Sequence, residues 1–188
     1  MRFILITNQP EIAAYAADQG VNLVMLDLEV LGKADRQGHV DSWKSHHQID
    51  ELPALRAALP PGRLMVRINP LNPGSKAEID AVVAAGADWI MVPMFRSAQE
   101  LSALKALIAG RARLMPLVET VGALASISAW SALRPDAVHF GLNDLHLELG
   151  SDFMFQPLAD DTLAGPCAAL RAEGIPFGIG GVAKAGEG

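Results

Sequence analysis

Residues 113–145 read RLMPLVETVGALASISAWSALRPDAVHFGLNDL. Two apolar runs in this stretch each end in one carboxylate. Leu-Met-Pro-Leu-Val stops at Glu119 and Thr120, and Ala-Val-His-Phe-Gly-Leu-Asn runs up to Asp144. Both runs are predicted as buried strands. Between them, Val121, Leu124, Ile127 and Trp130 recur at the spacing of one helix face, so a helix is expected over Val121 to Trp130. A strand, a helix and a strand in that order make a right-handed parallel crossover, which brings both carboxylates out at the same edge of one sheet. Two acids converging there need a cation or a proton.

The same unit recurs outward in both directions. Upstream, strands are expected at Phe3 to Ile6, Val21 to Leu28, Leu64 to Ile68 and Trp89 to Met94. Pro10 opens a first helix that Gly20 ends, and a second, about Ile49 to Leu59, stops at Pro60-Pro61. Ser75 with Glu78, and Ser97 with Glu100, have the spacing of capping boxes and predict two more helix starts. Downstream, an irregular helical stretch from Pro157 to Ala172, interrupted by Pro166, leads to a seventh strand at Pro176 to Ile179. Gly32 to His47 is a long polar segment without periodicity, carrying His39, His46 and His47, and is longer than most connections in a compact domain.

Strands that are continuous apolar runs, alternating with helices, predict a parallel sheet covered on both faces. An open doubly wound sheet and an eight-fold barrel both fit. The barrel is preferred because polar residues stand at the carboxyl ends of many strands: Asn8, Asp27 and Glu29, Arg67 and Asn69, Glu119, Asp144. The expectation is a single TIM (β/α)8-type barrel domain over residues 1–188, with the eighth β/α unit missing from this chain.

The 188 residues, 51% hydrophobic with a net charge of -6, suffice for one core and argue against a nucleic-acid surface. The first apolar run is too short for a signal-peptide core and no stretch would span a bilayer, so a cytoplasmic protein acting on small molecules is expected. Cys167 is the only cysteine; its Ala-Leu surroundings suggest a small core residue. Lys33, Lys44, Lys76, Lys105 and Lys184 lie in loops, on helices or past a strand end, which disfavours Schiff-base chemistry.

Asp27-Leu28-Glu29, Val66-Arg67-Ile68-Asn69, Val92-Pro93-Met94, Val118-Glu119-Thr120 and Gly141-Leu142-Asn143-Asp144-Leu145 with Leu149-Gly150, in this order, resemble the HpcH/HpaI aldolase and citrate lyase family. The resemblance implies a metal-dependent barrel that makes or breaks a carbon-carbon bond beside a 2-oxo acid or thioester. It implies Glu119 and Asp144 as ligands of Mg2+ or Mn2+, Arg67 on the carboxylate or carbonyl oxygen of the substrate, and the backbone of Gly141, Leu142 and Asn143 against the substrate. Asp27 and Glu29 would hold metal-bound waters or orient Arg67. Pyruvate aldolases of the family carry a histidine base after Asp-Leu-Glu where this chain has Val30, and a glutamine where it has Leu117.

On these residues the expected activity is that of a divalent-metal-dependent carbon-carbon lyase acting on a 2-oxo acid such as pyruvate or oxaloacetate, by way of a stabilised enolate. Magnesium takes one or two carboxylates plus water and substrate oxygens at about 2.0 to 2.1 Å, which suits two acids. Three alternatives stay open: a citrate-synthase-like or CoA-thioester bond-forming enzyme, a non-catalytic barrel subunit, and a sugar-phosphate isomerase. Arg67 could instead pair with Glu29. Because Val30 cannot move a proton, the histidines of the Gly32 to His47 loop are the nearest candidate base. A barrel without its eighth unit leaves strand edges open, so a homo-oligomer is expected.

Overall fold

A computed structural model describes residues 1–31 and 47–180. The described chain forms two compact units, one of Met1–Pro93 with Ala103–Leu114, the other of Met94–Ser102 with the residues from Met115 onward.

The first unit holds β1 (Ile4–Ile6), α1 (Pro10–Asp18), β2 (Leu23–Asp27), a 3-10 turn (Ile49–Glu51), α2 (Leu52–Ala58), β3 (Leu64–Arg67), α3 (Ser75–Ala84) and β4 (Trp89–Val92). Its four strands pair in parallel in chain order, with Ile4 opposite Leu23, Met25 opposite Met65, Asp27 opposite Arg67, and Arg67 opposite Met91. Every residue of β2 is buried, as its unbroken apolar run predicts for a strand covered on both faces. Val24, Leu26, Leu64, Val66 and Ile90 form the core together with helix residues Leu52, Leu55, Ile79 and Val82, all wholly inaccessible. Each such side chain is worth about 1.5 to 3 kcal/mol of burial. Arg56 ties α2 to the β3–β4 edge: it donates to Asp88 at 2.6 Å and to the carbonyls of Leu59 and Pro60 at 2.6 and 2.7 Å.

The second unit holds β6 (Val138–Gly141) between β5 (Arg113–Val118) and β7 (Phe177–Gly180), again parallel, with Leu117 opposite His139, His139 opposite Gly178, and Gly141 opposite Gly180. Its helices are α5 (Val121–Ala125), α6 (Ile127–Ser131), α7 (Leu142–Glu148), α8 (Gln156–Ala159) and α9 (Ala164–Ala172). The division between the units falls inside α4 (Ala98–Ile108) and β5. Strand and helix thus alternate through seven strands among the described residues, the α/β repeat of a TIM-type barrel without its final unit.

Several local expectations change. The helix expected over Val121 to Trp130 is two short ones, because Ser126 (φ -97°, ψ 16°) leaves helical geometry and its hydroxyl bonds back to the Gly122 carbonyl at 2.7 Å. The Ser75–Glu78 capping box does not form: Gly74 is the N-cap, the Ser75 hydroxyl accepts the Asn72 N–H, and Glu78 turns to Asn69. The Ser97–Glu100 box is half made. Ser97 accepts the Glu100 N–H, but the Glu100 carboxylate takes the N–H of Arg96 instead of Ser97. Pro166 does not interrupt α9, since it sits in the first turn where no intrahelical N–H is needed. No helix among the described residues is long and apolar enough to cross a membrane.

Candidate active site

In the first unit the strand-end polar residues form one charge cluster. Asp27 and Arg67 are register partners on β2 and β3, so their side chains leave the sheet on the same face. Arg67 grips Asp27 in two-point fashion, Nε to Oδ1 and Nη2 to Oδ2, both at 2.7 Å. Its Nη1 lies 3.3 Å from Glu29 Oε2. Asp27 and Glu29 are buried, and the arginine side chain is only 15% exposed. Removing Arg67 would take the guanidinium from two buried carboxylates at once. Arg67 therefore has a structural role as an ion-pair partner, with Asp27 rather than Glu29 as its principal anchor.

The turn after β2 is held by a residue that the sequence reading placed only at a strand end. Asn69 Oδ1 accepts the N–H groups of Val30 and Leu31 at 2.9 and 3.0 Å, while its Nδ2 donates to the Leu28 carbonyl and to Glu78. His47 Nδ1 accepts the Asp27 N–H at 3.1 Å, which places the proton of the neutral ring on Nε2 and occupies the nitrogen a base would use. His47 is thus a structural acceptor here. His39 and His46, the other candidate bases, lie outside the described residues, as does most of the loop between Gly32 and His47.

In the second unit, β5 delivers Glu119 and β6 delivers Gly141. Glu119 is 3% exposed, and its Oε1 accepts the Met94 N–H at 3.0 Å. A Cβ on Gly141 would lie 2.9 Å from Glu119 Oε2 and 3.0 Å from Glu119 Cβ, so only glycine lets the carboxylate lie across the next strand. Thr120 follows as N-cap of α5, accepting the Ala123 N–H at 3.0 Å and donating to the Phe95 carbonyl at 2.7 Å. Phe95 meets Trp130 edge to face, with ring centroids 5.6 Å apart. Glu148 adds a further brace: it pairs with Arg96 and accepts the Val121 N–H at 2.7 Å.

Asp144 is not the end of a strand. β6 stops at Gly141 and the chain turns at once into α7, so Asp144 stands half-buried in the first turn of a helix, where its negative charge complements the helix dipole. Leu142 is buried and Asn143 exposed. Among the described residues no group of three or more His, Cys, Asp or Glu is arranged to hold a metal ion. Glu119, fixed by a backbone N–H and shelved on a glycine, is a carboxylate of the kind a hard divalent ion takes together with water and ligand oxygens. Cys167 is half-buried rather than a core residue, and burial pushes its thiol pKa up, against the opposing pull of Arg171.

His139 was passed over in the sequence because it sits inside an apolar run. It projects from the same face of β6 as Gly141, two residues on, and its imidazole lies over Gly178 and Gly180 of β7. An isolated polar residue in Ala-Val-His-Phe-Gly was the available signal.

Parallel β/α units with Asp27, Glu29 and Glu119 at or just past the strand ends are the arrangement of a barrel-type α/β domain. The profile of the HpcH/HpaI aldolase/citrate lyase family matches residues 2–156, and the chain belongs to that family of aldolases and lyases. Among solved structures it is similar to an HpcH/HpaI aldolase from Desulfitobacterium hafniense DCB-2, with 20% identity and a TM-score of 0.71 over 97% of this chain and 78% of that one. RipC from Yersinia pestis aligns with 22% identity and a TM-score of 0.69 over 100% and 79% of the two chains. The citrate synthase SbnG aligns with 16% identity and a TM-score of 0.70 over 98% and 79%. At these identities the likeness is one of fold. No curated protein matches the sequence.

Proposed function

We propose that the chain is a divalent-metal-dependent carbon-carbon lyase acting on a small 2-oxo acid, with Glu119 and Asp144 as ligands of Mg2+ or Mn2+. The observation that supports this most is the treatment of Glu119: a buried carboxylate fixed by the Met94 N–H and lying where Gly141 lacks a Cβ. A carboxylate that only capped a helix would not need a glycine shelf, and the cap of α5 is already supplied by Thr120.

A bound divalent ion supplies Lewis-acid stabilisation of the negative charge that appears on the substrate when the carbon-carbon bond breaks. The protein's share is placement. Glu119 is held rigidly by its backbone donor, so one oxygen donor is preorganised. Asp144 contributes from the first turn of α7, immediately past the Gly141, Leu142 and Asn143 backbone assigned to the substrate. Arg67 is assigned to the substrate's carboxylate or carbonyl oxygen, with Asp27 and Glu29 fixing the plane of its guanidinium.

Pyruvate, oxaloacetate and acetyl-CoA, tested singly and in pairs with Mg2+ or Mn2+, provide the assay. Turnover of a 2-oxo acid that disappears in excess chelator and returns with metal is the expected result. Full turnover in chelator would refute the metal role, and activity requiring acetyl-CoA would move the reading to bond formation with a thioester.

A further inference from the structure

Inside the second unit, the chain leaving β4 and the chain leaving β5 are clasped together around Glu119. The Met94 N–H donates to Glu119 Oε1 at 3.0 Å, and the Thr120 hydroxyl donates to the Phe95 carbonyl at 2.7 Å. Gly122 comes closer still: a Cβ there would lie 2.6 Å from the Arg96 carbonyl oxygen, so a larger residue would push the first turn of α5 away. Met94, Phe95 and Arg96 thus each meet a residue of the turn that carries Glu119.

Glu148 ties α7 into this clasp. It is the last residue of α7, one helical turn after Asp144 on the same side of the helix. One of its carboxylate oxygens pairs with the Arg96 guanidinium, and the other accepts the Val121 N–H at 2.7 Å. It therefore grips both segments, two residues past Met94 and two past Glu119. Helix physics alone does not put an acid there. A carboxylate at the last residue opposes the helix dipole, and two acids four positions apart repel. Nor is stability the gain, since the Arg96 side chain is 54% exposed and such ion pairs contribute little. The two bonds fix position instead. At seven residues α7 is too short to hold its own shape, and its first residue follows directly on Gly141 at the end of β6. With Glu148 tied down, both ends of the helix are anchored, and Asp144 between them has a defined place relative to Glu119.

We propose that Glu148 is a positioning residue for the metal pair: by binding Arg96 and the Val121 N–H it sets Asp144 against Glu119. The inference rests on the reading of Glu119 and Asp144 as the metal pair, and its test is built so that the two can fail separately. Mn2+ is titrated calorimetrically into the full chain, with a melting curve on each sample.

Glu148→Ala is expected to weaken Mn2+ binding about tenfold or more, the low end for a residue that orients a metal ligand, with little change in melting temperature. The loss should vanish in an Asp144→Asn background, where that ligand is no longer there to be positioned. An equal loss in that background overturns the inference, because Glu148 would then act by its charge alone. Arg96→Met separates position from charge by sign. If only charge mattered, removing this cation would tighten Mn2+ binding; if position matters, binding weakens, by less than in Glu148→Ala because the Val121 bond remains. Tighter or unchanged binding in Arg96→Met, or unchanged affinity in a folded Glu148→Ala protein, overturns the inference, and the metal pair still stands if Asp144→Asn has lost affinity. Mn2+ affinity that survives both Glu119→Gln and Asp144→Asn refutes the metal pair itself, and the inference with it. Should Glu148→Ala fail to fold, the sign of the Arg96→Met effect decides.

Discussion

The backbone N–H of Met94 donates to Oε1 of Glu119 at 3.0 Å, and Met94 makes that bond from a left-handed conformation, φ 54°. A non-glycine residue held there costs roughly 1 to 2 kcal/mol. The fold sustains that cost next to the carboxylate proposed to hold metal. Fixing one oxygen removes a side-chain rotation that ligand binding would otherwise have to freeze.

Glu119→Gln and Asp144→Asn are each expected to lower Mn2+ affinity at least tenfold with little change in melting temperature. The amide that replaces the Glu119 carboxylate keeps an oxygen for the Met94 N–H, while it loses the charge and turns the second oxygen into an NH2 donor. Calorimetric Mn2+ titration with a melting curve on the same samples checks this, and wild-type affinity in both variants would contradict it.

Gly141→Ala should act on Glu119 without touching it. The residue has φ -92°, so alanine fits the backbone, but its Cβ would stand 2.9 Å from Glu119 Oε2 and 3.1 Å from Leu117 Cδ1. Overpacking of this kind costs about 1 to 3 kcal/mol, and moving the carboxylate should weaken Mn2+ binding as well. A variant as stable and as tight as the wild type would show that the shelf is unnecessary.

For Arg67 the ion pair predicts that stability and ligand binding fall together. Arg67→Lys loses the two-point contact with Asp27, and Asp27→Asn leaves a guanidinium in a buried site; a loss of about 3 kcal/mol is expected for the latter. Denaturant melts alongside titration with oxalate, a planar dianion with the oxygen pattern of a 2-oxo acid, separate the effects. Weakened oxalate binding with unaltered stability would mean that the pair contributes nothing to folding.

Asp88 gives the pH dependence its sign. Burial raises its pKa, but the N–H groups of Leu64 and Gly62 and the Arg56 guanidinium outweigh burial and hold the carboxyl below the usual carboxylate value. A depressed folded pKa contributes stability that is fully present above the unfolded value of about 3.9 and is lost as pH falls through the lower folded value. Because the side chain is 24% exposed, screening keeps the effect to roughly 1 kcal/mol. Asp88→Asn should therefore melt a few degrees lower at pH 7, with the gap to wild type closing in the acid range below about pH 4. A constant gap from pH 7 to pH 3 would rule this out.

The single-domain expectation makes a thermal prediction. One cooperative transition, coincident by near- and far-ultraviolet circular dichroism, is expected if the two compact units fold together. Two separated transitions would show that they fold independently.

The order of elements was legible in the sequence because its signals are local. Apolar runs such as Leu64 to Val66, helical spacing and punctuation by proline and glycine each act within a few residues, and they placed all seven strands to within one to three residues. The end of β5 before Glu119 was legible for the same reason, whereas Leu142 to Asp144, expected to continue a strand, opens α7. Capping was less so: the partner that Glu78 finds is Asn69, in the turn after β3, and the partner Glu100 finds is one residue short of the expected one. Both outcomes depend on how a neighbouring turn closes.

What only tertiary structure decided is the pairing of residues across strands. Asp27 meets Arg67, Gly141 makes room for Glu119, and Gly180 makes room for His139 because parallel register sets them side by side, 40, 22 and 41 positions apart in the chain. Register is fixed by the packing of whole strands between helices, and slipping a strand by one residue would send each of these side chains to the opposite face. A single sequence carries the residues of such pairs, and the sheet brings them into contact.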